Sequence, residues 1–129
     1  MARTTVGALD VRSTAALSIT SITAKKHIGT IQLVAYSASI TPDLSLGDIL
    51  ILTVTNTSIF TINAPLNPTI GQRWILRLAN ASGGTMGVIT WDASFRPGTV
   101  NRPVNGKSAV LEFYWDGTNH WKVSAADAL

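Results

Sequence analysis

The side chains that could do chemistry are few and scattered along the chain. There are two histidines, His27 and His120, and no cysteine. Thiolate nucleophiles, disulfide frameworks and thiolate zinc sites are removed together. A Ser-His-Asp relay would have to pair His120 with Asp116, yet both belong to one tight hairpin whose turn needs the aspartate, and no serine stands in a nucleophile-elbow pattern. Two isolated histidines do not offer the spacing of a zinc or iron centre. Asp116 with Asn119 brings too few oxygens for calcium. Carboxylate pairs for sugar hydrolysis would come from Asp43, Asp48, Asp92, Glu112 and Asp116, all but Glu112 beside a turn or strand end, where structural use is more common. Gly83-Gly84-Thr85-Met86-Gly87 lacks both the glycine spacing and the following helix of a phosphate loop. The reading is a protein that is not an enzyme, with no catalytic residue, no metal and no cofactor.

What remains is surface chemistry. Arg3, Arg12, Lys25 and Lys26 face only Asp10 within residues 1–29, so this stretch holds the whole formal net charge of +3. Residues 30–129 balance six basic against six acidic side chains. A basic arm on a neutral body points to a partner with an acidic surface. The first aromatic is Tyr36, so stacking platforms and basic residues are segregated, which argues against nucleic acid as a partner. Of the four tryptophans, Trp115 shares a face with Leu111 and Phe113, leaving Val110, Glu112 and Tyr114 on the other. Core packing accounts for all four in the first instance. The functional alternative is an exposed recognition surface made of Trp115 and Trp121 from one hairpin with Arg96 and Arg102 from the loop before it. Asn56-Thr57-Ser58 and Asn80-Ala81-Ser82 match glycosylation acceptors, which matter only in a secreted protein.

The elements that must position these residues read as strands. Charged residues are 13% of the 129, against about 25% on average. Ser, Thr, Asn and Gly are abundant, as on a face meant to pack against other protein. Residues 1–29 keep no helical stripe and read as an extended arm, in which Ser18 to Thr23 could form a short strand. From Thr30 the pattern is short strands broken by turns. Ile49 to Val54 is an almost continuous apolar run, read as a strand buried on both sides, with Ser58–Ile62 as its hairpin partner. Trp74, Leu76 and Leu78 alternate with Arg73, Ile75 and Arg77. Val88–Trp91 is a strand, Phe95–Lys107 a long loop, and Ala109–Trp115 with His120–Val123 a hairpin about Asp116-Gly117. The expectation is an all-β chain: a jelly-roll-like antiparallel β-sandwich over residues 30–129 as a single domain, with an extended N-terminal arm over 1–29. No run approaches the length of a membrane span, and the first residues lack an apolar signal region, so synthesis in the cytoplasm with no membrane partner is expected.

Residues 37–124 also resemble a domain common in tailed-bacteriophage virion proteins. The resemblance rests on an ordered set: Ser39-Ile40-Thr41-Pro42-Asp43, a glycine before an apolar strand, Thr61-Ile62-Asn63-Ala64-Pro65, and Asn67-Pro68-Thr69-Ile70-Gly71-Gln72-Arg73-Trp74. After these come Ile89-Thr90-Trp91, Arg96-Pro97-Gly98, and Leu111-Glu112-Phe113-Tyr114-Trp115-Asp116-Gly117 before Trp121. The pattern is that of tail-fibre and receptor-binding tips and of small capsid-associated proteins. It implies a jelly-roll-like fold and a homotrimer. With only 29 residues ahead of the body, the expectation is a capsid decoration (cement) protein on the virion surface. Its partners would be copies of itself and the major capsid protein, gripped through Arg3, Arg12, Lys25 and Lys26. The alternative is a fibre-tip adhesin whose body binds a host glycan or receptor.

Overall fold

β-Branched and aliphatic runs become strands here, and Asx turns set the corners between them. The computed structural model describes residues 29–129. The strands are β1 (Ile31–Val34), β2 (Ser39–Ile40), β3 (Ile49–Val54), β4 (Phe60–Ile62), β5 (Arg73–Asn80), β6 (Ile89–Trp91), β7 (Phe95–Arg96), β8 (Ser108–Trp115) and β9 (His120–Ala126), with no helix among the described residues. They form a six-stranded sheet in the order β1-β3-β5-β8-β9-β7 and a three-stranded sheet in the order β2-β4-β6.

The chain alternates between the two sheets, so β1–β2, β3–β4 and β5–β6 are three successive coils of a flattened solenoid. Strands stack in parallel from coil to coil in both sheets. The register puts Leu50 beside Leu76 and Leu52 beside Leu78 in the large sheet, and Ile40 beside Ile62 and then Trp91 in the small one. An antiparallel hairpin of β8 and β9 closes the last coil, β8 pairing with β5, and the two-residue β7 lies parallel to β9. Both sheets turn their buried side chains onto one core that includes Leu50, Leu52, Val54, Phe60, Ile62, Trp74, Leu78, Leu111 and Phe113. Each such side chain contributes about 1.5–3 kcal/mol on burial.

The corners repeat one device. In Asp43–Ser45, Asn56–Ser58, Asn80–Ser82, Asp92–Ser94 and Asp116–Thr118, the first residue's Oδ1 accepts the backbone N–H two residues on, at 2.7–3.0 Å. The side chain imitates a peptide carbonyl and bends the chain at little conformational cost. This is the structural use of both sequences that match glycosylation acceptors.

The all-β expectation holds, with the pairing corrected. Antiparallel pairing is confined to β5–β8 and β8–β9, so the body is solenoid-like and not an antiparallel jelly roll. Ser58–Ile62 is no hairpin partner of β3: its strand β4 lies in the other sheet, between β2 and β6. The physical reason is that a turn residue bends the chain equally well at a hairpin and at a coil corner. The long loop is confirmed except at β7. The extended arm over residues 1–29 lies outside the described residues except for Gly29.

Candidate functional site

The alternation within each strand divides the large sheet into a buried inner face and an outer face. On the outer face, cross-strand rows are fixed by the register. One row runs Ile31, Ile49, Ile75, Glu112 and Ser124; the next runs Leu33, Ile51, Arg77, Val110 and Ala126. Ile49, Ile51, Ile75 and Val110 are half-buried by one another, while Ile31 is 60% and Leu33 79% exposed. Ile31, Leu33, Ile49, Ile51 and Ile75 thus form a panel across three strands, with Arg77 standing between Ile51 and Val110. Isolated exposed apolar residues are ordinary, but a contiguous panel marks a contact surface. β1 also stands at the end of the large sheet, with no neighbour beyond it among the described residues.

A further row lies at the end of this face. Arg73 on β5, Tyr114 on β8, Trp121 on β9 and Arg96 on β7 are successive register partners. At about 4.8 Å between strands, this is two aromatic rings flanked by two guanidinium groups. Trp121 is 43% exposed, and its Nε1 donates to Asp116 Oδ2 at 2.7 Å, which fixes the ring's attitude. Arg96 donates to the carbonyls of Ala93 and Phe95 at 2.5 and 2.8 Å. Arg73 meets Glu112 at 3.1 Å, and Arg77 Nε donates to Ser108 Oγ at 3.3 Å.

The structure separates the four residues of the sequence-derived recognition surface. Arg96 and Trp121 are neighbours on the row just described. Trp115 is half-buried on the inner side, stacked on His120 with ring centroids 4.2 Å apart. Arg102 donates to the Met86 carbonyl at 2.6 Å and lines a shallow cleft of about 230 Å³ with Val88, Ile89, Trp91, Gly98 and Val100. Arg3, Arg12, Lys25 and Lys26 lie outside the described residues. Tyr114 and Arg73 carry no signal of this row in the sequence, and the strand over Ile49–Val54, read as buried on both sides, is fully buried on one side and only half-buried at Ile49 and Ile51 on the other. The apolar residues of β3 fall on both parities of the alternation, a pattern of strands covered on two sides.

Electrostatics at the nearby hairpin serve structure. Asp116 Oδ1 accepts the N–H groups of Thr118 and Asn119, both at 2.7 Å. The Asn119 N–H, the Trp121 indole and the Thr118 N–H hold its pKa down at about 2. His120 is buried, and desolvation pushes its pKa down to about 4, against the opposing pull of Asp116 and Asp92. Hydrogen bonds from Ser94 and from Ser45 likewise hold Asp92 and Asp43 below the usual carboxylate range. Among the described residues no three His, Asp or Glu side chains gather as metal ligands would. Comparison with protein-family models, with curated proteins and with solved structures gives no match.

Proposed function

We propose that the chain is a structural protein of a tailed-bacteriophage virion, a capsid decoration protein that works by assembly and not by catalysis. Made in the host cytoplasm, it would bind the major capsid protein on the outer shell as a homotrimer. The observation that carries the assembly part is the aliphatic panel on the outer face of the large sheet. Parallel strands are ordinarily covered on both faces, and the body covers only one. The phage part rests on the resemblance carried by residues 37–124. In this reading Arg3, Arg12, Lys25 and Lys26 grip the shell, and the protein stabilises it by mass action. A ligand that binds only the intact shell adds about 2.7 kcal/mol at a hundredfold excess over its Kd. The test is copy number, measured by quantifying this chain against the major capsid protein in purified particles. Hundreds of copies support decoration; absence from the particle overturns it.

One observation favours a second reading, a fibre-tip adhesin. The row Arg73, Tyr114, Trp121 and Arg96 pairs flat rings, on which sugar C–H faces stack, with guanidinium groups that hydrogen-bond hydroxyls or carboxylates. A handful of copies per particle, with glycan-array binding that Trp121→Ala abolishes, would favour it. A blank array at high concentration would remove it.

A further inference from the structure

We propose that residues 21–28 continue the solenoid by one more turn, with Ser21 and Ile22 added to the small sheet as a strand parallel to β2. In this register Ser21 lies beside Ser39 and Ile22 beside Ile40. The inference goes beyond the assembly reading and does not depend on it.

The first observation is an echo in the sequence. Ser21-Ile22-Thr23, Gly29 and Ile31 recur as Ser39-Ile40-Thr41, Gly47 and Ile49, and Ile28, Leu33 and Val34 recur as the aliphatic Leu46, Ile51 and Leu52. The offset is 18 residues throughout. That is also the offset of the coil, since Ile31 pairs with Ile49 and Val34 with Leu52. The longer third coil keeps the same marks at Thr61-Ile62, Ile70-Gly71 and Ile75. A segment that repeats a coil's residues at the coil's own spacing carries the pattern of a coil.

The second observation is the place that receives it. β2 and β1 end their sheets, with no strand beyond either among the described residues. The carbonyls of Ala38 and Ile40 accept the N–H groups of Thr61 and Asn63, so alternation turns the backbone groups of Ser39 and Thr41 to the open edge. A solenoid whose last coil is left open needs a further strand or a cap. By the same pattern the carbonyls of Thr20 and Ile22 accept the Ser39 and Thr41 N–H groups.

The third observation is reach, and it selects this chain's own segment over a partner's. Eight residues separate Ile22 from Ile31, as eight separate Ile40 from Ile49. A link of that length already carries the chain from β2 in the small sheet to β3 in the large one. Gly47 within it permits a close approach, because a Cβ there would lie 2.6 Å from the Thr30 carbonyl oxygen of the coil before; Gly29 holds the same place one coil earlier. The corner departs from the echo in a way that suits stacking. Lys25 stands where the next coil has Asp43, so opposite charges meet on strands about 4.8 Å apart.

The experiment is disulfide trapping in the full-length chain, which has no cysteine of its own. Ser21→Cys/Ser39→Cys is compared with Ser21→Cys/Thr90→Cys under mild oxidation, with products separated by mass. Ser39 and Thr90 are both exposed on the small sheet. The first pair lies one strand spacing apart, within the reach of a disulfide, and the second about 14 Å apart, outside it. The first should close within a single chain at least about tenfold faster than the second. Equal rates, or disulfides only between chains, overturn the proposal. Should a variant fail to fold, amide exchange of the wild type decides. The Ser39 and Thr41 N–H groups should exchange about a hundredfold or more below their unprotected rates at every concentration. Exchange at the unprotected rate overturns the proposal. Protection that rises with concentration does so too, because the added strand would then come from another copy.

Discussion

Trp74 donates its indole N–H to Nδ1 of His120 at 3.1 Å, inside the core. An indole can only donate, so Nδ1 must accept and the imidazole is the neutral Nε2–H tautomer. The rings of Trp74, Phe95 and Trp115 surround it, with centroids 5.6, 5.1 and 4.2 Å away. Protonation would set two donors against each other in an apolar setting.

Acid should therefore weaken the fold through His120. Its folded pKa of about 4 lies below the unfolded value near 6.5, so the unfolded chain binds more protons between these limits. The stability held by the neutral ring is fully present above about pH 6.5, falls as pH drops, and is lost by about pH 4. The loss is on the order of 2 kcal/mol once residual solvent screening is allowed for. Urea midpoints measured across this window should show the slope. His120→Gln, which keeps an acceptor for Trp74, should flatten it; an unchanged slope in that variant would assign the effect elsewhere.

Asn80 ties two loops to the end of β5. Its Nδ2 donates to the carbonyls of Gly84 and Pro103 at 3.0 and 2.8 Å, and its Oδ1 accepts from Ser82 N–H and Oγ at 2.9 and 2.6 Å. The residue is 2% exposed, so truncation strands these partners away from water. Asn80→Ala should cost about 2–4 kcal/mol in chemical denaturation. Asn80→Asp should cost a similar amount, because it loses both donated bonds and adds a buried charge.

Gly87 marks the closest approach between the second and third coils. A Cβ there would lie 1.7 Å from the Ser58 carbonyl oxygen, next to the Phe60 N–H bond to the Val88 carbonyl at 3.1 Å. No rotamer change relieves a backbone clash. Gly87→Ala should force β6 away from β4 and cost about 3 kcal/mol or more, read as a lowered Tm. Gly83→Ala, with nothing within 4 Å, should cost less, and its positive φ is the only penalty.

Much of this architecture could be read from residue order, and what could not has identifiable causes. The strands over Ile49–Val54, Arg73–Asn80 and Ser108–Trp115 announced themselves by alternation or by an apolar run. The solenoid did not, because its coils differ in length: partners Ile31 and Ile49 are 18 residues apart, but Ile49 and Ile75 are 26 apart. Unequal coils leave no fixed period to detect. Asx corners look like hairpin turns in sequence, which is how Ser58–Ile62 came to be paired with the wrong strand. Trp121 and Arg96 could be singled out by type, but their adjacency with Tyr114 and Arg73 depends on register across four strands. That order, β5-β8-β9-β7, is set by tertiary contacts.

Asp116 joins that row to the hairpin that carries it. Its exposed carboxylate accepts the Thr118 and Asn119 N–H groups and the Trp121 indole, each at 2.7 Å. Because these bonds favour the ionised form, its folded pKa of about 2 lies below the unfolded value near 3.8. Its contribution to stability is therefore complete above the unfolded value and disappears as pH falls through about 2. Asp116→Ala should lower the Tm, speed amide exchange at Thr118 and Asn119, and free the Trp121 ring, seen as reduced fluorescence anisotropy. Asp116→Asn keeps Oδ1 for the two amide N–H groups but puts a donor NH2 where Oδ2 accepts the indole, so it should retain the turn and still free the ring. If Asp116→Ala left Trp121 anisotropy at the wild-type value, the ring would be held by Arg96 and Tyr114 alone, and the aspartate would serve only the turn.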